Sequence, residues 1–245
     1  MSNSELVNYT KLSPNHSGKR TMLIDRITPH CTAGQIGIKA LGDMFYKKAT
    51  KASSNYGIGR DGQIGLFVNE ANRSWCSSSG ANDHRAITIE CASDSRAPYA
   101  MTDTVYSRLI DLTVDICRRN GKNKLIWIPD KEKALLYVPK KNEMLVTVHR
   151  WFANKSCPGD WLYSRIPEYV NKVNNLINNV EVFEPYLVRV KTSGVAIKKT
   201  ASKTSRCIKE CPVGTYTIVE EKNGYGLLKS RAGWVKLSSV EVVYN

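Results

Sequence analysis

The chain has 245 residues, of which 42% are hydrophobic and 24% are charged, an ordinary balance for a globular protein. It contains no run of 18 or more apolar residues, so no membrane-spanning helix is expected. Its 36 Lys and Arg outnumber its 22 Asp and Glu, and the net charge of +14 favours a polyanionic partner such as nucleic acid, an anionic membrane or an anionic cell wall. The basic residues are scattered and no nucleic-acid motif is present, so we do not expect nucleic acid as the partner.

The N-terminus and the cysteines bear on where the protein works. The first residues lack a basic segment followed by an apolar one, so no signal peptide is expected. The protein then works inside the cell or leaves it by a route that needs no signal. Seven cysteines without paired spacing indicate synthesis in a reducing compartment. Cys207 and Cys211 can form a disulfide or half of a zinc site, and the remaining cysteines outside the candidate site are expected to be buried free thiols: Cys31, Cys76, Cys91 and Cys117.

Strands and helices alternate in the first part of the chain. β-Branched runs between turn formers predict strands at 22–30, 86–91 and 124–128. Ile38, Leu41 and Phe45 share one helical face. Apolar spacings of three and four predict a helix over 102–120, and another after Asp160, which can cap it. The alternation predicts an α/β domain over residues 1–179, with a mixed central sheet covered by helices.

The composition changes after residue 179. Short strand-like segments, separated by turns such as K-N-G-Y-G, replace the helical periodicity. Residues 186–245 are therefore predicted to form a small all-β barrel.

A short segment near the middle of the chain carries three chemically useful side chains. His149, Lys155 and Cys157 lie within nine residues, and His30 ends an apolar run far upstream. Two His and one Cys form a ligand set that zinc accepts with its fourth position open, as in catalytic sites. The positive charge of Lys155 can stabilise a negative charge that develops on a substrate oxygen. A metal site with such a neighbour suits hydrolysis of an amide. Asp160 is an alternative oxygen ligand, although we prefer it as a helix cap.

Four segments resemble, in the same order, the motifs of the zinc-dependent N-acetylmuramoyl-L-alanine amidases, a family related to peptidoglycan-recognition proteins and phage lysozyme-type amidases. The segments are I-T-P-H-C-T-A-G at 27–34, S-S-N-Y-G-I-G-R-D-G-Q-I at 53–64, N-D-H-R-A-I-T-I-E-C-A at 82–92 and H-R-W-F-A-N-K-S-C-P-G-D-W-L-Y at 149–163. The resemblance covers most of residues 20–178.

The resemblance implies a role for each candidate residue. Zn²⁺ would be held by His30, His149 and Cys157, Glu90 would act as general base, and Lys155 would stabilise the oxyanion. Relatives with a tyrosine-assisted mechanism carry that tyrosine where this chain has Ser54, and Asn55 stands where many relatives have His. The resemblance therefore favours the mechanism that uses glutamate.

The last 60 or so residues resemble the bacterial SH3-like domain, which implies attachment to the cell wall, with Tyr216, Tyr225 and Trp234 as candidates to line a groove. Together the two resemblances imply a peptidoglycan hydrolase that cleaves the amide between N-acetylmuramic acid and L-alanine. The expected setting is a phage endolysin, made in the host cytoplasm and released to the wall by a holin. The alternatives are a non-catalytic peptidoglycan-recognition protein, a bacterial autolysin and a cytosolic amidase that recycles muropeptides.

Overall fold

The chain divides into two compact units, Met1–Val180 and Glu181–Asn245. The computed structural model describes residues 2–178 and 185–243. The domain boundary expected from the sequence at residue 179 lies outside the described residues. Among the helices in the described part of the chain, none is long and apolar enough to cross a membrane.

The N-terminal unit alternates strands and helices. Its elements are β1 Tyr9–Thr10, β2 His16–Lys19, β3 Arg26–Cys31, α1 Ile38–Tyr46, β4 Tyr56–Ile58, β5 Ile64–Leu66, β6 Asn72–Ser74, α2 Gly80–Asp83, β7 Ala86–Cys91, α3 Asp103–Arg119, β8 Lys124–Ile126, α4 Lys131–Leu136, β9 Glu143–Val146 and α5 Asp160–Asn178. Seven strands form one sheet in the order β1-β5-β4-β7-β3-β9-β8. Neighbouring strands are parallel except in the antiparallel hairpin of β4 and β5.

Helices pack on both faces of this sheet. At Gly57 a Cβ atom would lie 2.6 Å from Leu41 of α1, so this strand position must be glycine for the helix to approach. The neighbouring residues in β4, Tyr56 and Ile58, point to the opposite face because side chains alternate along a strand. There they join the main hydrophobic core together with Leu109 of α3. The mixed sheet covered by helices that the sequence predicts is confirmed.

The sequence placed the helices more accurately than the first strand. Thr102 caps α3 by accepting a hydrogen bond from the Val105 N–H, and α5 begins at Asp160. The predicted start of the first long strand, at residue 22, was wrong. Met22 and Leu23 are 54% and 82% exposed and lie outside the strand. β3 begins at Arg26, where its pairing with both β7 and β9 begins, so the available partners set the strand end.

The C-terminal unit is all-β. Its strands are β10 Tyr186–Val190, β11 Ala196–Lys198, β12 Cys207–Glu210, β13 Gly214–Lys222, β14 Tyr225–Leu228, β15 Trp234–Lys236 and β16 Glu241–Val243. They form one antiparallel sheet in the order β12-β11-β15-β14-β13-β10-β16, with a small core that includes Val188, Ile218 and Val235. The predicted K-N-G-Y-G turn is the β13–β14 hairpin, in which Asn223 and Gly224 both have positive φ. β12, β14 and β16 were not anticipated, and β14 includes Tyr225 and Gly226 of the predicted turn.

Candidate functional site

The register between two parallel strands brings the first two candidate residues together. His30 of β3 lies directly opposite Glu90 of β7, so both side chains point to the same face of the sheet near the carboxyl ends of the strands. The alternate residues Ile27 and Ile89 point the other way and are fully buried in the core. One oxygen of Glu90 lies 3.9 Å from Nδ1 of His30.

The other two candidate ligands come from the segment between β9 and α5. His149 lies in a 3₁₀ turn, His149–Trp151, that follows β9, and Cys157 lies three residues before α5. The sulfur of Cys157 is 3.1 Å from Nδ1 of His30, and the two imidazole rings have centroids 5.0 Å apart. Nitrogen or sulfur atoms of His30, His149 and Cys157 all lie within 4.8 Å of one another. The structure thus brings together the three side chains expected to be ligands.

Burial keeps both imidazoles neutral. His30 is 1% exposed, and burial together with the neighbouring His149 lowers the pKa of His30 to about 3. Burial also lowers the pKa of His149, with a further contribution from the positive charge of Lys155. Neutral imidazole has a free lone pair on one ring nitrogen, which is the form that binds a metal ion.

The same burial is costly for the anionic members of the group. Burial raises the pKa of the Cys157 thiol well above its usual range and raises the pKa of Glu90 to about 8. The second oxygen of Glu90 and Nε2 of His30 are buried without a hydrogen-bond partner. A divalent cation among these atoms would offset the cost of burying a thiolate and a carboxylate. Two nitrogens and one sulfur that leave a position open fit zinc in a catalytic site.

Two cysteines that the sequence marked as ordinary buried thiols belong to this site. Cys76 donates a hydrogen bond to the first oxygen of Glu90, at 3.7 Å, and its sulfur lies within 4.8 Å of ligand atoms of His30 and Glu90. Cys31, at the end of β3, shares a hydrogen bond with Cys157. Nothing in the sequence around Cys76 indicates these contacts, because they depend on the path of the loop after β6.

A cleft of about 400 Å³ opens beside the group. His149, Cys76 and the exposed Lys155 line it, together with Trp75 and Ser78. The hydroxyl of Ser78 lies 2.8 Å from Nε2 of His149 and orients that ring. Lys155 is therefore at the cleft next to His149, as expected, whereas Ser78 was missed by the sequence interpretation.

Asp160, Asn55 and the neighbouring Tyr56 each have partners outside the cluster. The Asp160 carboxylate accepts a hydrogen bond from Arg150 at 2.9 Å and is 73% exposed. The hydroxyl of Tyr56 is buried and donates to Glu70 at 2.6 Å. The Asn55 amide bonds to the backbone of Val68. These contacts leave His30, His149 and Cys157 as the favoured ligand set over one that contains Asp160.

Several known structures are similar to this chain. The mutant endolysin from Bacillus subtilis is 16% identical, with a TM-score of 0.50 over 68% of this chain and 99% of that chain. A selenomethionine derivative of AmpD is 20% identical, with a TM-score of 0.48 over 69% and 99% of the two chains. The Drosophila peptidoglycan recognition protein SA is 14% identical, with a TM-score of 0.45 over 63% and 82%. At such identities the likeness concerns the fold alone, and no curated protein matches the chain.

A comparison with family models is more specific. The model described as N-acetylmuramoyl-L-alanine amidase matches residues 19–160, which is more than half of the chain. The matched range contains the strands that carry His30 and Glu90 and the segment that carries His149, Lys155 and Cys157. The chain therefore belongs to the N-acetylmuramoyl-L-alanine amidase family.

Proposed function

We propose that this protein is a zinc-dependent peptidoglycan hydrolase that cleaves the amide between the lactyl group of N-acetylmuramic acid and L-alanine of the stem peptide. The observation that carries the proposal is the close approach of the ligand atoms of His30, His149 and Cys157, within 4.8 Å of one another, beside a carboxylate and an open cleft. Family membership supports the amidase chemistry and the peptidoglycan substrate.

His30, His149 and Cys157 would hold the metal ion. When bound, zinc supplies a Lewis acid that polarises the scissile carbonyl and lowers the pKa of water. The hydrogen bond between Ser78 and His149 and the burial of His30 beside β7 hold both rings in place before substrate arrives.

Glu90 is the proposed general base. Its carboxylate lies at the end of β7 beside His30, where it accepts a proton from the attacking water and returns it to the leaving amine. Burial raises its pKa to about 8, and the positive charge of a bound metal ion would lower that pKa, so that the carboxylate could accept a proton near neutral pH. The contact from Cys76 fixes one oxygen and leaves the other free for the proton transfer.

Lys155 is the proposed electrostatic partner of the carbonyl oxygen. Its exposed ammonium lines the cleft near His149. Negative charge develops on the carbonyl oxygen as water adds to the carbon, and a cation at the cleft stabilises it.

The C-terminal unit is proposed to be an SH3-like module that attaches the enzyme to the wall, with residues 1–179 as the catalytic domain and 186–245 as the binding domain. Attachment raises the local concentration of an insoluble substrate without adding to the chemistry. A phage endolysin released to the wall by a holin is the setting that we favour.

The test is hydrolysis of purified peptidoglycan, followed as new L-alanine amino termini, together with the metal content of the protein. We expect about one zinc per chain. Glu90→Gln should keep the zinc and lose at least ~10²-fold in rate, the usual contribution of a positioned general base. Glu168→Gln is the matched control, because Glu168 is an exposed partner of Lys172 on α5. Peptidoglycan binding without release of amino termini by the wild type would instead establish a recognition protein.

A further inference from the structure

A second cavity, of about 480 Å³, lies within the C-terminal unit. It is bordered by the loop between β10 and β11, the loop between β11 and β12, and parts of β14 and β15. Apart from Tyr225, its polar lining consists of three lysines and three residues with aliphatic hydroxyls, namely Lys198, Lys203, Lys236, Thr192, Ser193 and Ser239. No acidic residue is among the described residues that line it.

No residue in the described part of the chain forms an ion pair with the three lysines. Lys198 donates to the backbone carbonyl of Lys203 at 2.6 Å, a contact that holds its ammonium in place while leaving its charge uncompensated. Lys203 and Lys236 are exposed, and neither forms an ion pair within the part of the chain that the structure describes. Like charges that converge on one cavity repel one another, so an anion there would relieve an existing cost.

Each described acidic residue of this unit has a partner other than the three lysines. Residues 185–243 contain 11 Lys and Arg but only 4 Glu. Glu241 pairs with Lys191 at 2.8 Å, and Glu220 lies 4.0 Å from Arg231. Glu221 accepts a hydrogen bond from Tyr186, and Glu210 accepts one from the N–H of Gly194 at the edge of the cavity. The positive charge of the cavity is therefore available to a ligand.

We propose that this lysine pocket binds the oxyanion groups, phosphate or carboxylate, of an anionic polymer in the cell wall. Ammonium groups act as point charges for such groups, and the hydroxyls of Ser193 and Ser239 add hydrogen-bond donors. The excess of basic residues over the unit suits a chain of repeated negative charges rather than one small ion. The choice of a wall polymer rests on the proposed function.

The lining argues against nucleic acid as the polyanion. Proteins that bind single strands present aromatic faces on which bases stack. The only aromatic residue among the described lining residues is Tyr225, which is 6% exposed and packed within the unit. A polymer that carries charge without bases matches this lining better.

The experiment measures retention of the full-length protein on purified walls that keep their anionic polymers and on walls from which acid has extracted them. The pocket variant is Lys203→Glu with Lys236→Glu. The matched control is Lys209→Glu with Lys229→Glu, which changes the charge equally at exposed positions of the same unit outside the pocket. Thermal unfolding of both variants establishes that they fold.

On complete walls we expect the pocket variant to lose at least ~10-fold in affinity, because two attractive contacts become repulsive, and the control to lose much less. On extracted walls the two variants should bind alike. Equal losses for both variants on complete walls, or a pocket-specific loss that persists on extracted walls, would overturn the proposal.

A titration with small probes separates the two possible oxyanions. Glycerol phosphate and glucuronate are added to the full-length protein, and amide signals of Ser193 and Ser239 are followed by NMR. A response to one probe that is lost in the pocket variant identifies the group, and no response to either contradicts the proposal. Hydrolysis of a soluble muropeptide should be equal in all variants. An inactive protein with pocket-dependent wall binding would refute the proposed amidase while leaving this inference intact.

Discussion

The candidate catalytic cleft and the lysine pocket differ in how their charged groups are exposed to solvent. In the N-terminal unit the candidate ligands are fully or partly buried, and His30 is 1% exposed with a pKa lowered to about 3. In the C-terminal unit Lys203 and Lys236 are exposed and charged. Burial makes each group of the first site sensitive to its neighbours, as chemistry requires, whereas exposure lets the second site attract a ligand through net charge alone. If this contrast is correct, changes to one cavity should leave the function of the other unaltered.

The largest expected effect comes from the sulfur of the first site. Cys157→Ala should lose most of the zinc, because two histidines rarely hold it, and lose at least ~10²-fold in hydrolysis while binding walls normally. Cys157→Asp should restore part of both, since a carboxylate oxygen is also a zinc ligand. Metal analysis and amino-terminus release measure these outcomes.

Cys207→Ala is the control for this variant, because Cys207 is an exposed thiol of the C-terminal unit. Full zinc occupancy in Cys157→Ala would show that the third ligand is another residue. Cys76 and Glu90 would then be the first candidates, since both lie within 4.8 Å of His30.

Removal of the C-terminal unit should have the next largest effect. It should lower the rate of wall lysis but not the rate of hydrolysis of a soluble substrate. A chain that ends at residue 179 keeps the whole main core, whose buried residues run from Ile24 to Ile177. We expect it to fold, hold zinc and hydrolyse a soluble muropeptide within ~2-fold of the full chain, while lysis of intact walls falls ~10-fold or more through loss of attachment. A comparable loss on the soluble substrate would mean that the second unit helps to build the active site.

Ionic strength should affect the functions of the two cavities differently, and this test needs no mutation. Raising the ionic strength from ~0.05 M to ~0.3 M shortens the range of charge attraction and should weaken wall retention several-fold. Hydrolysis of an uncharged muropeptide analogue should change by less than ~2-fold, because the groups around His30 are shielded from solvent. Wall retention that is insensitive to salt would contradict the proposed role of the lysine pocket.

The smallest expected effect concerns the support of Glu90. Cys76→Ala removes a thiol contact of 3.7 Å to the Glu90 carboxylate and should lower the hydrolysis rate by ~3–10-fold with zinc retained, since a loosened base transfers its proton less efficiently. Cys117→Ala is the matched control, because Cys117 is a buried thiol of the main core. An unchanged hydrolysis rate in Cys76→Ala would show that Cys76 contributes only to packing and not to the function of Glu90.

The sequence alone determined the identity of the candidate site and most of the fold. The spacing of His149, Lys155 and Cys157 is local, and the surrounding motifs carry the family resemblance. Helix α3 was predicted equally well, because its N-cap at Thr102 and its apolar periodicity both lie within one element. Motif spacing, helix caps and helical periodicity depend on residues that are close together in the chain, so they can be recognised from the sequence.

Only the tertiary structure decided which distant groups meet. The pairing of β3 with β7 places Glu90 beside His30, the loop after β6 brings Cys76 to the same carboxylate, and loop and strand positions in the second unit bring Lys198, Lys203 and Lys236 to one cavity. The start of β3 was likewise set by its partners and not by the apolar residues Met22 and Leu23. Strand register and loop path come from packing and hydrogen bonds between segments far apart in the chain, so local sequence patterns do not encode them.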